Sequence, residues 1–189
     1  NWEEWKADML EHGIPDWCVW SCEQIKYIFP KDHDAAYVMM AYRIAYCKVY
    51  YPLAYYAAYF SIRANAFSYE LMCQGREKLE YYIKDYKKRS NTLSNKEQDT
   101  LKDMRLVQEM YARGYEFLPI DIYRSQATKF QIVDGKLLPP FSSIDGMGEK
   151  AADSMEMAAD PMNPYLSRDD FRQRAKASKT IVDLMGDLG

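Results

Sequence analysis

The run FPKDHDAAYVMMAYRIAYCKVYYPLAYYAAYF, Phe29 to Phe60, limits what this chain can fold into more than any other stretch. It is apolar, crowded with tyrosine and long enough to suggest a membrane span. Arg43 and Lys48 interrupt it and Pro52 breaks it, so it holds no uninterrupted apolar segment of about 20 residues. The alternative is a pair of helices. The first opens near Asp32 or Asp34, whose carboxylates can accept from free backbone N–H groups, and runs through Tyr37, Met40, Ile44 and Cys47. The second takes Pro52 in its first turn and runs through Tyr55 and Tyr59. Both are apolar around most of their circumference, which predicts central helices packed on several sides.

The flanking sequence is also helical in pattern. Trp2, Trp5 and Met9 recur at helical spacing before Gly13 and Pro15, and DWCVWSCEQIKYIF reads as a short helix closed by Pro30. SYELMCQGREKLEYYIKDYKKRSN reads as one helix ending in Lys84, Lys87, Lys88 and Arg89, a run that a solvated helix end explains. Ser94 and Glu97 form a capping box for a helix through Leu101, Met104, Val107 and Tyr111, and Gly114 closes it. The β signal is KFQIVDGKLLPP, where Asp134-Gly135 suits a tight hairpin, with IDIY as a candidate third strand. Short helices follow, one capped by Ser167 and Asp170 and one started by Ser178. The predicted class is mainly α: a multi-helical segment with a small β-hairpin and a helix-hairpin-helix module.

Composition narrows the function. A net charge of −3 weighs against an indiscriminate nucleic-acid binder but leaves local patches open. No glycine-rich Walker or dinucleotide loop and no nucleophile elbow is present. Cys18, Cys22, Cys47 and Cys73 make no disulfide framework in a chain of 189 residues and read as reduced thiols. Cys18 and Cys22 lie one helical turn apart, but without a second pair they do not specify zinc. The Asp32/Asp34 and Asp169/Asp170 pairs read as helix starts, so neither a catalytic residue nor a metal ligand is assigned.

Two stretches could carry binding chemistry. In SSIDGMGEKAA, Gly146 and Gly148 separate a helical turn from a helix that opens with Lys150, Ala151 and Ala152. Such a turn can aim N–H groups at a DNA phosphate beside the positive end of the helix, reading no sequence. A plain tight turn is the alternative, and Asp145 and Glu149 bring the wrong charge. In KYIFPKDHDAAY, Lys31 and His33 at a helix head could hold phosphate oxygens, with Tyr27 or Phe29 against a base. Core aromatics and solvated polar groups explain the same residues.

The stretch IKYIFPKDHDAAYVMMAYRIAYCKVYYPLAYYAAYFSIRA resembles the fingers segment of the PolC-type DNA polymerase III alpha subunit, the replicative polymerase of Gram-positive type. DIYRSQATKFQIVDGKLLPPFSSIDGMGEKAA is similar to the family's following stretch, hairpin and helix-hairpin-helix, in the same order, and LSRDDFRQRAKASKTIVDLM to what comes next. The resemblance covers nearly the whole chain. It implies residues 1–66 as the C-terminal part of the fingers, 67–117 as a helical connection and 118–189 as a duplex-DNA-binding module. It implies incoming-nucleotide contacts from Tyr27, Phe29, Lys31 and His33, and DNA contacts from Arg124, Ser125, Ser143, Gly146, Gly148 and Lys150. In the family, palm aspartates hold magnesium for phosphoryl transfer; this segment carries no palm motif, so it is expected to bind no cofactor and to be inactive by itself. Both ends read as cut from something longer. The implied setting is cytoplasmic and monomeric, with primer-template DNA and a dNTP as partners and a sliding clamp reached through a tail beyond residue 189. Asp34 and Asp145 depart from the family's usual alanine and proline and place negative charge beside the proposed phosphate contacts. Two rivals are a free-standing helix-hairpin-helix accessory protein and a helical scaffold without nucleic acid.

Overall fold

The computed structural model describes residues 1–24 and 31–188. Tyr27 and Phe29 lie outside the described residues. The chain forms two compact units, Asn1–Ala45 and Tyr46–Gly189.

The first unit contains α1 (Trp2–Glu11), α2 (Asp16–Gln24) and most of α3 (Lys31–Tyr50). Gly13 and Pro15 end α1 and start α2, and Val19 is the buried residue of α2. A salt bridge of 3.7 Å joins Lys6 to Glu23 across the pair. Asp32 and Asp34 stand inside the first turn of α3, which begins at Lys31 ahead of both. The expectation of a buried α3 is not met. None of its residues is buried, and Tyr42 is 73% exposed. An apolar circumference says that side chains avoid water; it does not supply the partner that covers them. Along α3 rings lie against one another instead, as Tyr46 and Tyr50 do with centroids 4.5 Å apart and planes tilted by 37°.

The second unit holds α4 (Pro52–Ile62), α5 (Tyr69–Met72), α6 (Arg76–Lys88), α7 (Asn95–Ala112), β1 (Gln131–Val133), β2 (Lys136–Leu138), α8 (Glu149–Ala158), α9 (Arg168–Arg174) and α10 (Lys179–Leu188). Here the expectation for the other helix of the pair holds: Pro52 starts α4, and Tyr56, Ala57 and Phe60 are buried. They pack with Met72, Leu79, Ile83, Met104, Val107, Met110 and Leu137 in one hydrophobic cluster. Glu109 on α7 gathers polar groups at its edge: Lys48 Nζ at 2.7 Å, Arg113 Nη2 at 2.8 Å and the Tyr56 hydroxyl at 3.3 Å. Burial, with the Glu109 charge beside it, pushes the Tyr56 phenol up to about 12.

The stretch expected as one helix from Ser68 to Asn91 is two. Gly75, at φ +97° and ψ 163°, takes a backbone conformation closed to other residues and divides α5 from α6. The Ser94–Glu97 capping box forms as expected, Ser94 Oγ accepting from Glu97 N and the Glu97 side chain accepting from Ser94 N. Asp134 and Gly135, at φ +50° and +74°, make the two-residue turn that pairs Val133 with Lys136 in an antiparallel hairpin. IDIY adds no strand to that hairpin. Asp121 Oδ1 accepts from the N–H groups of Tyr123 at 2.9 Å and Arg124 at 3.2 Å, which bends the chain into a turn. The hairpin is extended by Phe117, which bridges to Leu137 in parallel sense.

A second cluster organises the C-terminal stretch. Phe141, Ile144, Met147, Ala152, Met155, Phe171, Ala175 and Val182 form it. Ser167 caps α9 by accepting from Asp170 N, and Ser178 Oγ accepts from Ile181 N at the start of α10.

Candidate nucleic-acid interface

The Gly146–Gly148 turn is fastened from below by apolar side chains. A single 3-10 turn, Phe141–Ser143, precedes it, and buried Ile144 and Met147 point into the second cluster on either side of Gly146. Met147 N donates to Ile144 O at 3.0 Å, closing a turn around Asp145 and Gly146. Gly146 takes φ +85°, which a side chain would strain, and a Cβ there would meet open space. Gly148 is the N-cap of α8 and offers no side chain to cap it. The N–H groups of Ala151 and Ala152 both donate to Gly148 O at 3.0 Å. Those of Gly148, Glu149 and Lys150 find no acceptor among the described residues. A ten-residue helix therefore presents its positive end with donors unfilled, on an apolar base that fixes their direction.

Lys150, in the first turn of α8, is exposed and makes no ion pair among the described residues. Glu149 is exposed beside it. Asp145 is turned toward α5, where its Oδ2 accepts from Ser68 Oγ at 2.5 Å. Ser143 sits under the turn, 4% exposed, with its hydroxyl donating to Pro140 O at 2.5 Å. Ser125 is also buried, and its Oγ accepts from Asp121 N at 3.0 Å. Both hydroxyls thus brace loops from within. Arg124 is exposed at the tip of the Asp121 turn and paired with that carboxylate at 2.7 Å. Burial works to raise the Asp121 carboxyl, but the Tyr123 N–H, the Arg124 guanidinium and the Arg124 N–H outweigh it and hold it below the usual carboxylate range.

In the first unit, Lys31 and His33 are exposed in the first turn of α3. The His33 ring lies 4.3 Å from that of Tyr37, and its Nδ1 lies 3.8 Å from Asp34 Oδ1. Ser68 and Glu70, which reach the residue ahead of Gly146, were not anticipated from the sequence. The signal was there in part: a serine before Tyr-Glu-Leu-Met is an N-cap pattern, and a helix that starts at Tyr69 aims both side chains out of its first turn. Among the described residues no group of three or more His, Cys, Asp or Glu side chains is placed to hold a metal ion, and Cys18 and Cys22 are free. Nor is any described helix long and apolar enough to cross a membrane.

Residues 114–189 match the family model of the helix-hairpin-helix motif. The chain is 43% identical over 187 residues to the DNA polymerase III PolC-type of Clostridium perfringens, covering 99% of this chain and 13% of the relative. It is 43% identical over 182 residues to that of Bacillus subtilis, covering 96% and 13%. With that of Streptococcus suis the identity is 45% over 183 residues, covering 96% and 12%. The chain thus spans about one eighth of the length of the curated relatives it matches. Over nearly its whole length the chain is similar to one segment of the PolC-type DNA polymerase III, and it carries a helix-hairpin-helix motif at its C-terminal end.

Proposed function

We propose that this chain is the duplex-gripping and nucleotide-presenting part of a template-directed DNA polymerase, and that bond formation belongs to palm residues elsewhere in the parent protein. The observation that carries the reading is the row of unfilled N–H groups at Gly148, Glu149 and Lys150, behind the left-handed Gly146. A phosphate oxygen fills such donors without a base being read. Lys150 adds a cation at the same helix head, and Arg124 supplies a further exposed cation on the same unit. Ser125 and Ser143 act beneath these groups by fixing the loops that carry them. Lys31 and His33 meet the phosphates of the incoming dNTP, with Tyr27 and Phe29 against its base.

In the parent protein, palm aspartates outside this chain would hold magnesium, which would supply the activation of the primer 3′-hydroxyl; this chain's residues orient and hold. A sliding clamp engages the parent outside this segment, and the setting is the bacterial cytoplasm.

The test is titration of a labelled primer-template with the purified chain at several salt concentrations. Binding is expected to be weak, indifferent to sequence and steeply salt-dependent, and Lys150→Ala should lower the salt slope by about one. No primer extension is expected from the chain alone. Sequence-selective binding that ignores Lys150, or extension without an added palm, contradicts the proposal.

A further inference from the structure

Asp145 stands beside the hairpin glycines, where a carboxylate opposes a phosphate, and its contacts show what it does instead. Its Oδ2 accepts from Ser68 Oγ at 2.5 Å, and its N–H donates to Glu70 Oε2 at 3.3 Å. Ser68 is 3% exposed, and its oxygen also accepts from Leu71 N at 3.3 Å, so its position is set by the cap of α5. Glu70 Oε1 is buried and has no partner among the described residues. Burial raises the Glu70 carboxyl above its usual range; the nearby N–H groups pull it down, and the Asp145 charge and hydrogen bond push it up again. The other titratable or charged groups around the pair are Tyr69 and Cys73 next to Glu70 on its own stretch, Tyr86 on α6, and Lys96 and Glu97 on α7.

We infer that Ser68 and Glu70 are positioning residues that lock the entry of the glycine hairpin through Asp145, and that a proton on Glu70 closes the lock. With Glu70 ionised, two carboxylates face each other across the joint and repel. When Glu70 takes a proton from solvent, its O–H donates to Asp145, the repulsion ends and one negative charge leaves the neighbourhood of the open α8 amides. Both changes favour a bound phosphate. The consequence for DNA rests on the phosphate reading of the hairpin; the lock itself does not.

The experiment separates the two. Amide hydrogen exchange is followed in the intact chain at Asp145, Met147 and Ala151, from about pH 4, below the ordinary glutamate range, to about pH 8, as protection factors that remove the intrinsic pH dependence of exchange. Protection should rise about fivefold on acidification, the factor expected for one added hydrogen bond. Glu70→Gln and Asp145→Asn should hold protection at the acid level at every pH. Ser68→Ala should lose it throughout, and Ser68→Thr should restore it. Should Ser68→Ala fail to fold, Glu70→Gln and Asp145→Asn decide the matter. Duplex binding by the wild-type chain should follow the same pH course. Wild-type protection that is flat with pH, or a Glu70→Gln profile like the wild type, overturns the lock. Protection that follows the pattern without any duplex binding upholds the lock and overturns the phosphate reading.

Discussion

Asp103 is 4% exposed, and its Oδ2 accepts from Ala66 N at 3.4 Å, so a carboxyl group fastens the turn between α4 and α5. Burial pushes it up to about 6; Asp99 adds to the rise, while the Ala66 N–H and Lys102 oppose it. The unfolded chain titrates near 3.8, so between that value and about 6 the folded state binds the proton more tightly. This group's contribution to stability is therefore complete below about pH 4 and is lost as the pH rises through about 6. Asp103→Asn keeps an acceptor for Ala66 and never ionises. Urea unfolding should find it more stable than the wild type by about 2 kcal/mol at pH 7, with the gap closing near pH 4. An unchanged gap across that range would show that the carboxyl is not strained by burial. Nothing in the local sequence NKEQDTLKDMRL distinguishes Asp103 from Asp99, because the difference lies in which helix face meets the α4–α5 turn.

At the scale of elements, the features legible in the sequence are those set by neighbours within a few positions. Asp134-Gly135 specifies its hairpin and Ser94-x-x-Glu97 its cap because the groups that satisfy the backbone lie inside the motif. The Gly146–Gly148 turn belongs to the same class, and its outline was readable for that reason. Gly75, at a backbone angle that only glycine accepts, divides two helices that the sequence presents as one, because the helical pattern resumes at once on its far side. IDIY is a candidate third strand in the sequence, but the Asp121 carboxylate accepts from two N–H groups and commits the chain to a turn. What could not be read is where Asp145 points, since its partners Ser68 and Glu70 are more than seventy positions away. The hairpin glycine offers a check. Gly146→Ala has room for its methyl group but not the backbone angle, so it should lower stability by about 1 kcal/mol and slacken the α8 start. A variant with unchanged stability and unchanged duplex binding would show that the left-handed turn is not required.

At the scale of the whole molecule, the two units differ in what they bury. Both hydrophobic clusters lie in Tyr46–Gly189, whereas Asn1–Ala45 leaves Trp5, Trp17 and Trp20 exposed, Trp17 at 71%. The tyrosines of α3 are exposed in the same way. The four tryptophans all lie in the first unit, so their fluorescence reports on it alone, while far-ultraviolet dichroism reports mainly on the helices of the second. The fluorescence transition should come at lower denaturant than the dichroism transition. Coincident transitions would mean that the units unfold together.

The measurement that bears most directly on the duplex-binding account is an amide chemical-shift titration with a short DNA duplex at low salt. The N–H resonances of Gly148, Glu149 and Lys150 should move first and furthest, in the same way for unrelated duplex sequences, and return as salt is added. If those three resonances stay still while others move, the hairpin is not where this chain holds DNA.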